Sequence, residues 1–230
     1  MRIDIISAVP QLLEGPLNYS IVGKAREEGL VDIYIHDLRN YSTDNHNKVD
    51  DYPYGGGAGM VLTPQPIFSC IEELQDQREY DEIILTTPSG TPFEQKKANA
   101  LSVKKNLIFL CGHYKGVDQR VRDTLITKEY SIGDFVLSGG ELPAMAMVDS
   151  IVRLLPGALG DSESALTDSF QNDLLEGAVY TRPAVFKGME VPKVLRSGDH
   201  QKVKEWRLKQ SLKRTQEVRP DLYKKFRNEQ

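Results

Sequence analysis

Apolar runs of strand length alternate with apolar positions at helical spacing over roughly the first two thirds of the chain. Residues 2–9 alternate apolar and polar before Pro10 and predict a first strand. Residues 18–28, closed by Gly29, predict a helix. Residues 31–38 (VDIYIHDL) place Val31, Ile33 and Ile35 on one face, the period-two signature of a second strand. A long polar loop, 39–60, ends in YGGGAGM. Ile67, Ile71 and Leu74 mark a helix over 64–77, and 82–87 (EIILTT) is an apolar strand followed by a Pro88-Ser89-Gly90 turn. Helices are predicted over 93–102, 116–126 and 141–155, and strands over 106–111 (NLIFLC) and 130–137. Continuous apolar strands separated by helices predict an α/β fold whose mostly parallel sheet is covered on both faces.

The pattern breaks at Pro156. Residues 157–175 are rich in Gly, Ser and Asp with weak periodicity, and beyond Pro183 and Pro192 helical patterns return over 199–215 and 221–228. The expected organisation is an α/β domain at 1–160, a flexible connector at 161–176 and a small helical domain at 177–230. Charge sharpens that division. Residues 187–230 carry 13 Lys/Arg against six Asp/Glu, a net +7, so the overall −4 leaves −11 on residues 1–186. A basic tail on an acidic body points to a polyanion, although a charge run is also what a solvated helix face looks like. Trp206, Tyr223 and Phe226, interleaved with Lys202, Lys204, Arg207, Lys209, Lys213, Arg214, Lys224, Lys225 and Arg227, favour nucleic acid.

At 230 residues the chain can bury a full core. No apolar run approaches the roughly 20 residues of a membrane helix, and residues 1–10 lack the pattern of a signal peptide, so a cytoplasmic location is expected. Cys70 and Cys111 sit in apolar surroundings without paired spacing, which predicts buried, reduced thiols. Cys111-Gly112-His113 resembles a metal-site fragment, but two cysteines and four scattered histidines give it no partners, and no metal site is predicted.

Candidate chemistry gathers at three strand ends, where ligands of open parallel sheets bind. These are residues 85–90 (LTTPSG), 110–116 (LCGHYKG) and 131–140 (SIGDFVLSGG). In the third, Ile132, Phe135, Val136 and Leu137 would line a pocket or strand end, and Gly133, Gly139 and Gly140 lack the Cβ that would hold a flat, adenosine-sized group off the main chain. The segment lacks the Lys-Ser/Thr ending of a P-loop and the spacing of a dinucleotide fingerprint, so main-chain contacts to a ligand are indicated. A plain glycine turn leading into a helix is the other reading.

The chain resembles the bacterial tRNA (guanine-N1)-methyltransferase family of the SPOUT superfamily. The resemblance is carried by VDDYPYGGGAGM (49–60), CGHYKGVDQRV (111–121), SIGDFVLSGGELPAM (131–145), ALTDSF (165–170), YTRP (180–183), GMEVPKVL (188–195) and WRLKQSL (206–212), in order along nearly the whole chain. It implies a SPOUT-type sheet with a deep trefoil knot, a homodimer with shared active sites, and a small C-terminal helical domain that binds the tRNA anticodon arm, with no role for DNA or membrane. It implies methyl transfer from S-adenosylmethionine to N1 of the guanosine immediately 3′ of the anticodon, position 37. Cofactor contacts are implied at Leu85, Thr86 and Pro88, at Gly112, Tyr114 and Gly116, and at Ile132, Gly133, Asp134, Phe135, Val136, Leu137, Gly139, Gly140 and Pro143.

The resemblance further implies Asp168 as catalytic base, with Arg153 in support, and places Asp50 near the target base, with His46 close by in sequence. Guanine N1 carries a proton, so a carboxylate that accepts it makes N1 a nucleophile, and a guanidinium stabilises the charge gathering on O6. Without the resemblance, Asp168 reads as a solvated residue or helix cap and Arg153 as an exposed charge. Two positions depart from the pattern: Ala58 stands where the family commonly has proline, and Lys115 stands where many relatives carry a glutamate linked to cofactor handling and to Mg²⁺. A SPOUT ribose 2′-O-methyltransferase and a noncatalytic RNA-binding module remain as alternatives.

Overall fold

A computed structural model describes residues 1–160 and 168–228 of the chain. Residues 161–167, which include the start of the expected connector and the Ala165-Leu166-Thr167 part of the ALTDSF motif, lie outside the described residues, as do 229–230. The chain divides into two compact units, Met1–Gly160 and Asp161–Gln230.

The first unit is built on a five-stranded sheet of β1 (Arg2–Ser7), β2 (Asp32–Asp37), β5 (Glu82–Pro92), β6 (Asn106–Cys111) and β7 (Lys128–Ser131), in the order β2-β1-β6-β5-β7. Every pairing is parallel, as the apolar runs predicted. Two short strands, β3 (Asp50–Asp51) and β4 (Val61–Leu62), form a separate antiparallel pair within the polar loop.

Alternation of side chains across the sheet splits the core in two. Ile3, Ile5, Ile84, Leu107 and Phe109 face one way, against α2 (Ser20–Glu27), α4 (Gln95–Ser102) and α6 (Glu141–Val152). Ile6, Ile83, Leu85, Ile108 and Leu110 face the other way, against α3 (Pro64–Gln77) and α5 (Gln119–Thr124). A strand buried on both faces has no polar side to show, which is why its sequence reads as an unbroken apolar run. Both thiols are free and buried, and burial pushes Cys70 up to about 12, so it stays protonated.

A few buried strand residues break the rule, Asp4 among them. Asp4 is fully buried on β1, and its carboxylate accepts from Arg2 Nε at 2.7 Å, Arg2 Nη2 at 2.8 Å, His36 Nε2 at 2.8 Å and Tyr80 Oη at 2.8 Å. Burial, the largest influence, would raise this carboxyl, but the hydrogen bonds from His36, Arg2 and Tyr80 together outweigh it and hold the pKa at about 2. A depressed folded pKa gives stability that is complete above the unfolded value of 3.8 and is lost as pH falls through about 2. Asp4→Ala, which strips four donors of their acceptor, should cost about 3 kcal/mol at pH 7. Urea midpoints taken from pH 7 down to pH 3 should show the gap between wild type and variant beginning to narrow below about pH 4.

Two strand expectations are corrected. The Pro88-Ser89-Gly90 turn does not end its strand: Thr86 and Thr91 both stand opposite Tyr130, so four residues bulge out and β5 resumes to Pro92. The strand expected over 130–137 is β7, which stops at Ser131. Phe135 and Val136 are then exposed, because no neighbouring strand remains to cover them.

In the second unit, described by itself, α7 (His200–Val218) and α8 (Pro220–Asn228) follow a small hairpin of β8 (Val185–Phe186) and β9 (Met189–Glu190). Residues 168–177 pack onto α7. Leu174 is buried, Leu175 N–H donates to Thr215 Oγ1 at 2.9 Å, and Ser211 Oγ donates to the Leu175 carbonyl. Asp173 pairs with Lys225 of α8 at 2.8 Å. Trp206 rests against Tyr180, with ring centroids 6.2 Å apart, and is half-buried, as are Tyr223 and Phe226. These aromatics therefore serve the packing of the unit as well as its surface, while Lys202, Lys204, Arg207, Lys209, Lys213, Arg214, Lys224 and Arg227 are exposed.

Candidate functional site

Three loops at the carboxyl ends of the sheet are stitched together by their own backbones. Thr86, buried at the end of the first part of β5, donates its hydroxyl toward the Leu110 carbonyl at 3.3 Å and the Gly140 carbonyl at 3.1 Å. Gly140 N–H donates to the Gly112 carbonyl at 2.7 Å, and His113 and Gly139 form an isolated antiparallel bridge. The loop carrying GGGAGM joins them: Lys115 N–H donates to the Met60 carbonyl at 2.9 Å, and Leu62 N–H to the Gly116 carbonyl at 3.0 Å.

This stitching gives two of the glycines a different reason from the one expected. A Cβ on Gly140 would lie 2.0 Å from Thr86 Oγ1 and 2.6 Å from Gly112 N, and one on Gly139 would lie 2.2 Å from Glu141 Oε2 and 2.6 Å from His113 Nδ1. Their missing side chains make room first for neighbouring protein.

Around the loops lies a cavity of about 680 Å³. Its walls include Leu85, Thr86 and Pro88 from the first loop, and Gly112, Tyr114 and Gly116 from the second. The third loop adds Ile132, Gly133, Phe135, Val136, Leu137, Gly139, Gly140 and Pro143. Asp134 is exposed and is not among the lining residues, because the chain leaves the sheet at Ser131 and the side chain turns to solvent. Thr87, Ser89, His113, Lys115, Arg122, Tyr130 and the Gly59-Met60-Val61 segment also line the cavity. Thr87, Ser89, His113 and Lys115 belong to the strand ends that the sequence marked, although none was singled out as a cofactor contact. Arg122 had no signal at all, since its place depends on a bidentate pair with Glu129 of β7, at 2.8 and 2.5 Å.

Behind the cavity sits a buried polar group that the pattern of a first-turn glutamate did not mark. Glu141 is 1% exposed, and its Oε1 accepts from Ser7 Oγ at 2.7 Å. Among the described residues its Oε2 has no hydrogen-bond partner, and it faces His113 Nδ1, also without one, at 3.9 Å. His113 in turn meets the Tyr114 ring edge-on, with centroids 4.7 Å apart. Burial first, then the Glu141 charge, push the Cys111 thiol well above its ordinary range, which rules it out as a nucleophile at neutral pH.

Asp50 lies on β3, paired with Leu62 of β4, in a second recess of about 690 Å³ lined also by Asp44, Lys48, Asp51 and Tyr52. Met60 contributes to both cavities. His46 is exposed, with its N–H on Asp44 Oδ1 at 2.8 Å, and lines neither. Arg153, half-buried, caps the C-terminus of α6 in the first unit, and Asp168 is the first described residue of the second; neither is among the residues lining the two cavities.

Comparison with known proteins places this architecture. Residues 1–225 match the sequence profile of the family described as tRNA (Guanine-1)-methyltransferase TrmD. A tRNA (guanine-N(1)-)-methyltransferase of Christiangramia forsetii is 59% identical over 222 residues, covering 96% of this chain and 98% of that protein. Proteins of the same name from Bacteroides fragilis and Chlorobaculum tepidum are 57% and 56% identical, each over 96% of this chain and covering 99% and 96% of those proteins. On a match that runs the length of the chain, it belongs to the tRNA (guanine-1)-methyltransferase family.

Proposed function

We propose that this enzyme transfers the methyl group of S-adenosylmethionine to N1 of the guanosine immediately 3′ of the anticodon, position 37 of tRNA, and that the cofactor occupies the cavity at the three stitched loops. The observation that carries the proposal is that cavity: all but one of the cofactor positions implied by the family motifs line a single space of about 680 Å³. That volume lies within the roughly 300–1,000 Å³ of small-molecule sites. Walls of Leu85, Ile132, Leu137 and Pro143 suit an adenine ring, and main chain at Gly112 and Gly116 suits its polar edge and ribose.

S-adenosylmethionine, when bound, supplies an electrophilic methyl group on a sulfonium. The residues of the chain do the rest. Asp168 accepts the N1 proton, and Arg153 stabilises the charge that then gathers on O6. Asp50, in its recess beside Met60, contacts the target base. The ammonium of Lys115 has no lone pair to offer Mg²⁺, so the metal-linked role of the glutamate in relatives does not carry over to this position.

We further propose that the enzyme acts as a homodimer with the active site shared between subunits, that its sheet carries the trefoil knot of the superfamily, and that it works in the cytoplasm. Within this reading residues 177–230 form the tRNA-binding domain and 161–176 the connector that carries Asp168. Exposed lysines and arginines along α7 and α8 neutralise phosphates of the anticodon arm.

The test uses labelled S-adenosylmethionine and two tRNA transcripts that differ only in guanosine or adenosine just 3′ of the anticodon. Label should be recovered as 1-methylguanosine from the guanosine transcript alone. Label on ribose would indicate a 2′-O-methyltransferase, label on both transcripts a different site, and RNA binding without label a noncatalytic module.

A further inference from the structure

The charges of the cavity are unbalanced. No aspartate or glutamate is among its described lining residues, whereas Lys115 and Arg122 both are. Arg122 is neutralised by Glu129 and also reaches Ser89 Oγ at 3.2 Å. Lys115 has no carboxylate partner among the described residues. Its position is nonetheless built. The backbone N–H is tied to the Met60 carbonyl, and the aliphatic stem lies over Gly59, where a Cβ would come within 2.8 Å of Lys115 Cγ and 3.1 Å of Cε. Gly59, at φ +94°, therefore provides both the turn and the groove in which the stem lies, and Lys115, exposed, lines the cavity beside it.

We propose that Lys115 is the anion-binding residue of this cavity and that its partner is the α-carboxylate of the cofactor's amino-acid tail. The inference rests on the cofactor reading given above. Of the charged groups on S-adenosylmethionine, the sulfonium and the ammonium are repelled by a cationic wall, and the carboxylate alone is attracted to it. Lys115 then orients the tail by pairing with one end of it, and the ligand carries part of its own specificity in that carboxylate.

The experiment is calorimetric titration of the full-length wild type, Lys115→Met and Lys115→Arg with S-adenosylhomocysteine and with its decarboxylated form. The wild type should bind the carboxylate-bearing ligand more tightly by about tenfold, as expected for a charge-assisted hydrogen bond. Lys115→Arg should keep most of that preference, and Lys115→Met should reduce it to about twofold or less, mainly by weakening S-adenosylhomocysteine. Equal weakening of both ligands by Lys115→Met, or no change in either, overturns the assignment. Unchanged S-adenosylhomocysteine binding with a raised KM for tRNA also overturns it and gives the charge to a tRNA phosphate. If the wild type binds neither ligand, the cofactor reading itself fails, which separates that failure from a failure of Lys115.

Discussion

Asp168→Ala should lower kcat by about 10²–10⁴-fold, the range for loss of a positioned general base, with tRNA affinity kept within about threefold. Asp168→Asn should behave alike, because the amide keeps the size of the side chain and cannot accept the N1 proton at neutral pH. The local fold supports a positioned residue. Phe170 N–H donates to the Leu174 carbonyl at 2.8 Å, and Glu176 N–H to Ser169 Oγ at 2.8 Å, so residues 168–176 close a tight turn. Leu175 fastens that turn to α7 through Thr215 and Ser211. A carboxylate on an anchored turn keeps its orientation at less entropic cost than one on a free chain. Single-turnover kinetics with saturating tRNA measure the chemical step directly. A loss below about threefold would remove Asp168 from the reaction, and a parallel loss of tRNA affinity would make it an RNA contact.

Gly140→Ala should be among the most damaging conservative changes in the first unit. Two of the three atoms nearest the new methyl, Gly112 N at 2.6 Å and Cys111 Cα at 2.9 Å, are backbone, and the third is Thr86 Oγ1 at 2.0 Å. Side-chain rotation cannot relieve backbone contacts, so the second and third loops must part and the Gly140-to-Gly112 hydrogen bond must break. The expected cost is about 3 kcal/mol in urea unfolding, with S-adenosylhomocysteine affinity lowered by about a hundredfold because the cavity walls separate. Gly15→Ala is the internal control: an added Cβ there meets nothing within 4 Å and the backbone is already α-helical, so stability should stay within about 0.5 kcal/mol. Wild-type stability and affinity in Gly140→Ala would show that the three loops are not held as one piece.

These predictions mark where local pattern was enough and where it was not. The helix over 64–77 and the strand over 106–111 were legible to the residue, because Ile67, Ile71 and Leu74 repeat at helical spacing and NLIFLC is buried on both sides. The three loops were legible as a site because successive parallel strands deliver small residues to one edge of a sheet. Their chemistry was less so. His46 was grouped with Asp50 by nearness in sequence, but the recess is lined by Asp50 and Asp51 of β3 and not by His46.

By itself, then, the sequence determined the alternation of strands and helices, the parallel sheet, the glycine-bearing strand ends and the family, all of which depend on the order of residues within short windows or motifs. Tertiary structure alone decided that Thr86 and Thr91 share one partner, that Gly139 and Gly140 leave room for protein, that Glu141 is buried behind the cavity, and that among the described residues Arg122 has a carboxylate partner and Lys115 has none. Several of those facts are meetings between residues far apart in the chain, 54 apart for Thr86 and Gly140 and 134 apart for Ser7 and Glu141, and even the Arg122–Glu129 pair, seven apart, joins a helix to a strand. Such meetings are set by how sheet and loops close in space, and no local pattern of apolar and polar positions records them.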